Sequence, residues 1–275
     1  SCHHNTIPLV AFAAAAAKGI HADPTSTDAQ TKAMLGMMKA FVPMMFEASE
    51  VVPDLNVTGG YILEAMAARQ IPAGDISTSI VHAVAQKQNP DGRWIGWAQR
   101  APLESGDIQA TAYAIRSLTA YPIPGRAAEM NRRIARGRDF LEKSKPVTTE
   151  EAVSKLLGLL WAKADDRAIG AAAAELTRLQ RTDGGWGQLP SLETDAYATA
   201  KAIVALRAAG VTEPVARGEA FLIRTQHADG SWHVPTRSFP VQPLIDTGFP
   251  HGRDQWISAA ATAYAVSALA PSIQN

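Results

Sequence analysis

One pattern occurs three times in the chain and restricts its fold more than any other feature. In each copy a glutamine precedes a tryptophan by six positions, with an Asp-Gly pair between them. The copies are Gln88–Trp94, Gln180–Trp186 and Gln226–Trp232. An alanine-rich block with a threonine in register follows each copy, at 107–118, 195–206 and 258–269. Such repetition is typical of folds built by stacking one supersecondary unit.

The segments between these turns predict α-helices, because Ala, Leu, Glu, Lys and Arg dominate them and Asp-Gly pairs and prolines separate them. One set is nearly all apolar and is expected to be buried; it covers 6–20, 57–69, 107–120, 148–164, 193–209 and 255–270. The other set is amphipathic and is expected to lie outside; it covers 27–48, 75–88, 126–143, 166–181 and 213–227. No segment with the two-residue period of a strand exceeds a few residues.

The alternation of the two sets predicts an all-α fold, an α/α toroid in which about six inner helices are surrounded by outer ones. We expect a single domain over residues 1–275, with a long loop at 232–254 as its main irregularity. Small alanine side chains on the inner helices would let their backbones pack closely.

Composition excludes several classes of protein. The 26 basic and 26 acidic side chains leave no net charge, so a nucleic-acid partner is not expected. No apolar run reaches the roughly 18 residues of a transmembrane helix. The single cysteine, Cys2, rules out an internal disulfide framework.

The Gln-x5-Trp segments resemble the QW motifs of squalene-hopene cyclases and related triterpene cyclases, whose fold is an α/α barrel. The resemblance extends from about residue 57 to 270 and implies an apolar, isoprenoid-type ligand. In this motif the glutamine can bond to backbone groups left free at a helix end, and the tryptophan can cover the helix junction. We therefore expect Trp94, Trp186 and Trp232 to be structural rather than to bind a ligand.

The same resemblance points to a catalytic acid. These cyclases protonate an alkene or epoxide with an aspartic acid of an Asp-x-Asp-Asp motif, which neighbouring carboxylates tune. Glu193 and Asp195 have the matching separation at the head of a predicted inner helix, although Ala196 replaces the adjacent acid. Asp195 is equally suited to cap that helix, and Asp107 has the same placement without an acidic neighbour. One hypothesis is therefore an isoprenoid cyclase with Asp195 as general acid.

Other features depart from a cyclase. A standard cyclase has more than twice this length, in two toroids, and lines its cavity with aromatics that stabilise carbocations. Only 7% of this chain is aromatic. The tyrosines of the predicted inner helices would line a cavity or pack in the core; they are Tyr61, Tyr113, Tyr197 and Tyr264. A non-catalytic toroid that presents a surface to a partner is a further hypothesis.

Zinc is not expected. Protein prenyltransferase β subunits, which are also toroids, bind zinc through Asp, Cys and His, whereas the one thiol here is at position 2. Lone histidines such as His82 and His227 are expected at the surface or at helix ends. The methionines at 34, 37, 38, 44 and 45 have helical spacing and are expected in the core.

The first residues suggest a different cofactor. Cys-x-x-Cys-His is the attachment signal for c-type haem, and Cys2-His3 matches its second half within the segment 1–5. Together with 195–200 and 248–256, it resembles bacterial secreted proteins in which such a signal precedes a cyclase-like region. The resemblance implies haem c held by Cys2, with His3 binding the iron. The alternatives are that this terminus binds no haem, or that it is a lipid or metal site.

His251, in a Pro-His-Gly setting of the long loop, is the best candidate for a second axial ligand. No export signal precedes the first predicted helix, yet haem attachment takes place outside the cytoplasm. The leading hypothesis is therefore a cytochrome-like toroid of the bacterial periplasm or cell exterior, for electron transfer to a redox partner or for sensing.

Overall fold

Helices make up most of the computed structural model, which describes residues 2–49, 52–96, 100–239 and 243–273, with only the backbone of Cys2 and His3. The helices are α1 (Cys2–Ala16), α2 (Pro24–Lys39), α3 (Val42–Phe46), α4 (Leu55–Ala68), α5 (Asp75–Gln86), α6 (Asp107–Ala120), α7 (Ala127–Lys143), α8 (Thr149–Trp161), α9 (Asp166–Thr177), α10 (Ala196–Ala208), α11 (Glu213–Thr225) and α12 (Gln255–Leu269). Strands β1 (Trp186–Gly187) and β2 (Thr194–Asp195) pair antiparallel. The prediction of an all-α fold is confirmed.

Six helices contact one another in a closed cycle. α1 packs against α4, α4 against α6, α6 against α8, α8 against α10, α10 against α12, and α12 against α1. These are the helices that the sequence predicts as buried. Close packing depends on small residues: a Cβ on Gly158 of α8 would lie 2.9 Å from the Cβ of Ala112 in α6.

The amphipathic helices pack on the outside of this cycle. The predicted bounds of one of them are wrong. Residues 27–48 were predicted as one helix, but the structure has two, α2 and α3. The first ends at Lys39, and Pro43 falls in the first turn of the second. Proline lacks a backbone N–H, so it is tolerated in a first turn but not in the middle of a continuous helix.

Two other predictions also need correction, one for the start of the first helix and one for the burial of the methionines. The first helix begins at Cys2 rather than at residue 6, so the Cys-His segment forms the first turn of α1. Of the methionines predicted in the core, Met34, Met38 and Met45 are fully buried, whereas Met37 and Met44 are exposed. The helices turn these two side chains away from the core.

The three tryptophans of the repeats make the same pair of hydrogen bonds. Each indole Nε1 donates to a carbonyl in the last turn of the preceding outer helix, on Val84, Leu176 and Leu222, at 2.7, 2.9 and 2.9 Å respectively. Each tryptophan backbone N–H donates to the hydroxyl of the threonine in register, which is Thr111, Thr199 or Thr262. The repeats therefore share one structural joint.

The glutamines complete this joint. The Nε2 of Gln88 donates to the carbonyls of Gly92 and Arg133, both at 2.9 Å. That of Gln180 donates to Gly184 and Pro214, at 2.7 and 2.8 Å. Each of these side chains thus links an Asp-Gly turn to the next outer helix, and the carbonyls that it reaches lie in the turn and within that helix rather than at a free helix end as predicted.

Trp186→Phe is expected to lower the free energy of unfolding by about 1 kcal/mol, because it removes the buried hydrogen bond from the indole to the carbonyl of Leu176, which then keeps only backbone N–H donors such as that of Leu179. Trp256→Phe is the matched control. Its Nε1 donates to the carbonyl of Ile245, an exposed residue at which water can replace the indole. Urea unfolding measures both, and equal losses would contradict the role assigned to the buried bond.

Candidate functional site

A buried ion pair lies between helices of the cycle. The Nζ of Lys201, on α10, is 2.6 Å from the Oε1 of Glu150, on α8. Both side chains are almost inaccessible, at 3% and 2% exposure. Glu150 also accepts hydrogen bonds from Gln109 Nε2, at 2.8 Å, and from Tyr197 OH, at 2.9 Å. The carboxylate is therefore satisfied by groups from α6 and α10 as well as by its ion pair.

Three tyrosine rings surround the ammonium group. The Lys201 Nζ lies 5.0 Å from the ring centroid of Tyr264 and 5.7 Å from those of Tyr113 and Tyr197. These distances are within the range of cation–π attraction. Burial favours a lower pKa for Lys201, but the Glu150 carboxylate outweighs it and the pKa is raised. The interior of the cycle therefore holds a charged ammonium in an aromatic cage.

The cage follows from the repeat. Tyr113, Lys201 and Tyr264 occupy the same position in their three blocks, six residues after Asp107, Asp195 and Ser258. These equivalent positions on α6, α10 and α12 bring the three side chains together inside the cycle. The sequence prediction placed the tyrosines on inner helices but missed Glu150 and Lys201. The signal was a lysine at the position where the other two blocks have tyrosine.

A second ion pair lies nearby in the cycle. Arg116, on α6, approaches Glu64, on α4, at 3.5 Å, and its guanidinium lies 5.4 Å from the centre of the Trp161 ring. Burial raises the pKa of Glu64, and the charge of Arg116 partly opposes that effect. The side chains inside the cycle are thus aromatic and charged rather than purely aliphatic.

Asp195 caps helix α10. Its Oδ1 accepts a hydrogen bond from the N–H of Ala198 at 2.9 Å, and Gln188 lies beside the carboxyl group, where its backbone and side chain lower the pKa. The first residues of the other blocks share part of this arrangement: Asp107 accepts from Gly96 N and Ser258 from Val234 N, each at 3.0 Å. The Gln188 side chain distinguishes Asp195 from them.

Burial raises the pKa of Asp195 to about 6, although the hydrogen bonds from Ala198 and Gln188 favour the carboxylate. Asp195 therefore holds a proton in mildly acidic solution. Glu193, its predicted partner, is exposed and precedes β2. The two acids thus differ in environment: one is half-buried at a helix head, and the other is surrounded by solvent.

Arg237 reaches the same region from the long loop. Its Nε donates to Gln188 Oε1 at 2.5 Å, and Gln188 also lies beside Asp195. The Nη2 of Arg237 is buried and has no hydrogen-bond partner among the described residues. Burial lowers the pKa of Arg237, while the charges of Glu150 and Asp195 oppose that effect. No sequence pattern marked this residue.

His251 lies in a cluster of histidines at the third Asp-Gly turn. Its ring centroid is 4.9 Å from that of His233 and 5.2 Å from that of His227, and its Nε2 is 2.7 Å from Ser231 Oγ. Among the described residues, no group of three or more His, Cys, Asp and Glu could hold a metal ion. Iron binding through this nitrogen would require its bond to Ser231 to open. His227 is exposed just beyond α11, as predicted.

The predicted haem ligands Cys2 and His3 have side chains outside the described residues. The neighbouring ring of His4 packs edge-on against Trp256, with centroids 3.8 Å apart. Burial lowers the pKa of His4 to about 3, so this ring is neutral. The first turn of α1 therefore lies beside the head of α12.

Comparison with known proteins shows a distant, partial similarity to an enzyme of the terpene-cyclase type. That enzyme is the drimenyl diphosphate synthase of Streptantibioticus cattleyicolor, which is 30% identical to this chain over 174 residues. The match covers 58% of this chain and 32% of the enzyme, so the chain matches about a third of its relative. No family model matches the sequence. Within the described residues, no helix is long and apolar enough to cross a membrane.

Proposed function

We propose that the chain is an isoprenoid-processing domain of the terpene-cyclase type, an α/α toroid in which Asp195 is the general acid. The placement of Asp195 carries this proposal: its half-buried carboxyl group lies at the head of an inner helix and accepts from the N–H of Ala198, and burial there raises its pKa to about 6. Such a group retains the proton that a general acid must deliver. The partial similarity to drimenyl diphosphate synthase supports the same class of chemistry.

The proposed step transfers one proton. The O–H bond of Asp195 breaks and its electrons remain on the carboxylate. The π electrons of a substrate alkene form the new C–H bond, and the other alkene carbon becomes a cation. The hydrogen bond from Ala198 and the neighbouring Gln188 stabilise the resulting carboxylate. The final cation loses a proton from the carbon next to the cationic centre, and the electrons of that C–H bond form the alkene of the product; return of a proton to the Asp195 carboxylate restores the acid.

The interior of the cycle determines where we place the ligand. Lys201 occupies the centre of the tyrosine cage with its own ammonium, and Glu150 neutralises it. An apolar chain could not share that space without separating the ion pair, which is costly for buried charges. We therefore place the ligand at the head of α10, between Asp195 and the long loop that carries Arg237.

Incubation of the protein with farnesyl diphosphate, geranylgeranyl diphosphate or squalene, followed by mass spectrometry of the products, tests the proposal. Asp195→Asn is expected to lower the rate of cyclisation about 100-fold, because the proton donor is lost, while asparagine still caps the helix. Asp107→Asn, at the equivalent head of α6, is the matched control and should leave the rate unchanged. A fully active Asp195→Asn variant would exclude Asp195 as the acid.

A haem protein of the cell exterior is a second proposal, which rests on the match of Cys2-His3 to the second half of a haem-attachment signal. Cys2 would hold the macrocycle and His3 the iron, and the group would supply one-electron transfer. A visible absorption spectrum of natively produced protein tests this proposal: sharp haem bands would support it, and a featureless spectrum would exclude it.

A further inference from the structure

Arg237 is held in a fixed position with one donor unused. Gln188, itself 3% exposed, accepts from the Arg237 Nε at 2.5 Å. This bond orients the planar guanidinium and leaves the buried Nη2 without a hydrogen-bond partner among the described residues. A buried donor without a partner costs about 1–3 kcal/mol, and nearly all buried polar groups avoid that cost. A bound group that accepts hydrogen bonds accounts for this geometry.

The chemistry of arginine indicates which group this is. A guanidinium presents parallel N–H donors that match the oxygens of phosphate or carboxylate. The nearest described acids are not free to serve: Glu150 is neutralised by Lys201, and Asp195 accepts from Ala198 and lies beside Gln188. An anion supplied by a ligand would complete the coordination of Arg237.

Asp195 determines when that anion can bind. As a carboxylate it offsets the positive charge of Arg237 and repels an incoming anion. As a neutral acid it does neither. Protonation of Asp195 therefore favours binding of the anion, and a bound anion favours protonation of Asp195. Such coupling is reciprocal: a bound anion also keeps the proton on Asp195.

We infer that Arg237 binds the anionic head group of the isoprenoid substrate, a phosphate or diphosphate, and that this group binds together with a proton on Asp195. The inference rests on the proposed function, since it concerns the substrate of that site. Arg237 holds the anionic group of the substrate near Asp195. The negative charge of that group then keeps Asp195 protonated at neutral pH.

Calorimetry with sulfate tests the coupling, because sulfate keeps its charge across the pH range used. Wild-type protein is expected to bind sulfate about tenfold more tightly at about pH 5.5 than at about pH 8, which corresponds to one pKa unit of coupling. Titration in buffers of different ionisation enthalpy should show proton uptake near neutral pH. Asp195→Asn, which mimics the protonated acid, should bind sulfate tightly at both pH values and take up no proton.

Arg237→Gln should abolish sulfate binding, whereas Arg93→Gln should not. Arg93 is the matched control because it is a half-buried arginine whose charge is already paired, with Asp107 at the head of α6. Circular dichroism confirms that both variants fold. Sulfate binding that survives in Arg237→Gln, or no binding by the wild type, would overturn the inference. Neither outcome depends on cyclisation, which the product assay measures separately.

A comparison of ligands identifies the source of the anion. Farnesyl diphosphate is expected to bind at least tenfold more tightly than inorganic diphosphate, because the isoprenoid chain adds apolar contact. Both affinities should fall in Arg237→Gln. Equal affinities would overturn the assignment to a substrate head group and leave a site for a free anion.

Discussion

Lys201→Met is expected to lower the free energy of unfolding by about 3–5 kcal/mol, the largest effect of any single change considered. Methionine keeps the volume of the side chain but leaves Glu150 as an unpaired charge inside the cycle. The tyrosine rings that face the Lys201 ammonium would then face an uncharged group and lose their cation–π attraction. Urea unfolding at neutral pH measures the loss.

The double variant Lys201→Met with Glu150→Gln distinguishes a lost ion pair from lost packing. Glutamine carries no charge; its Oε1 can still accept from Gln109, and its Nε2 can donate to the hydroxyl of Tyr197. The double variant is therefore expected to recover most of the lost stability, as removal of both charges of a buried pair often does. Arg138→Met, which removes an exposed pair with Glu142, should cost less than about 1 kcal/mol. A double variant no more stable than Lys201→Met would contradict the electrostatic explanation.

The helices could be predicted from sequence because their signals are local. The predicted ranges 107–120 and 126–143 agree with α6 (Asp107–Ala120) and α7 (Ala127–Lys143) to within a residue. The break between α2 and α3 was missed, since apolar spacing continues across it and a single proline is weak evidence. The shared threonine positions, such as Thr199, were recognised from the repeat, and the structure adds that each threonine hydroxyl accepts a hydrogen bond from the tryptophan N–H of its copy.

The candidate site was predictable only in part. Asp195 was identified because a motif placed it at a helix head, and the structure adds the half-buried setting that raises its pKa. The partners of Glu150 were not identified from the sequence, because Tyr197 and Lys201 lie 47 and 51 residues further along the chain. Which inward-facing residues meet is decided by the order of helices in the cycle. Arg237 depends in addition on the path of a long loop, which has no periodicity.

Asp195→Asn is expected to raise the free energy of unfolding by about 2–3 kcal/mol at about pH 8 and to leave it unchanged below about pH 4. The pKa of Asp195 rises from 3.8 to about 6 on folding, so the folded state holds a proton that the unfolded chain has released between these values. The wild type therefore loses stability as pH rises through this range, by about 1.4 kcal/mol for each pKa unit. Asparagine has no proton to lose and avoids this penalty.

Urea unfolding of both proteins from about pH 4 to pH 8 measures this difference, with Asp107→Asn as the control at the half-exposed head of α6. A gain in stability together with a loss of cyclisation would mark Asp195 as a group retained for chemistry at a cost in stability. A loss of stability at pH 8 would instead show that the Asp195 carboxylate is favourable in the folded state. Asparagine caps a helix about as well as aspartate, so such a loss would have to come from the charge itself, and the proposed acid would then lack its proton.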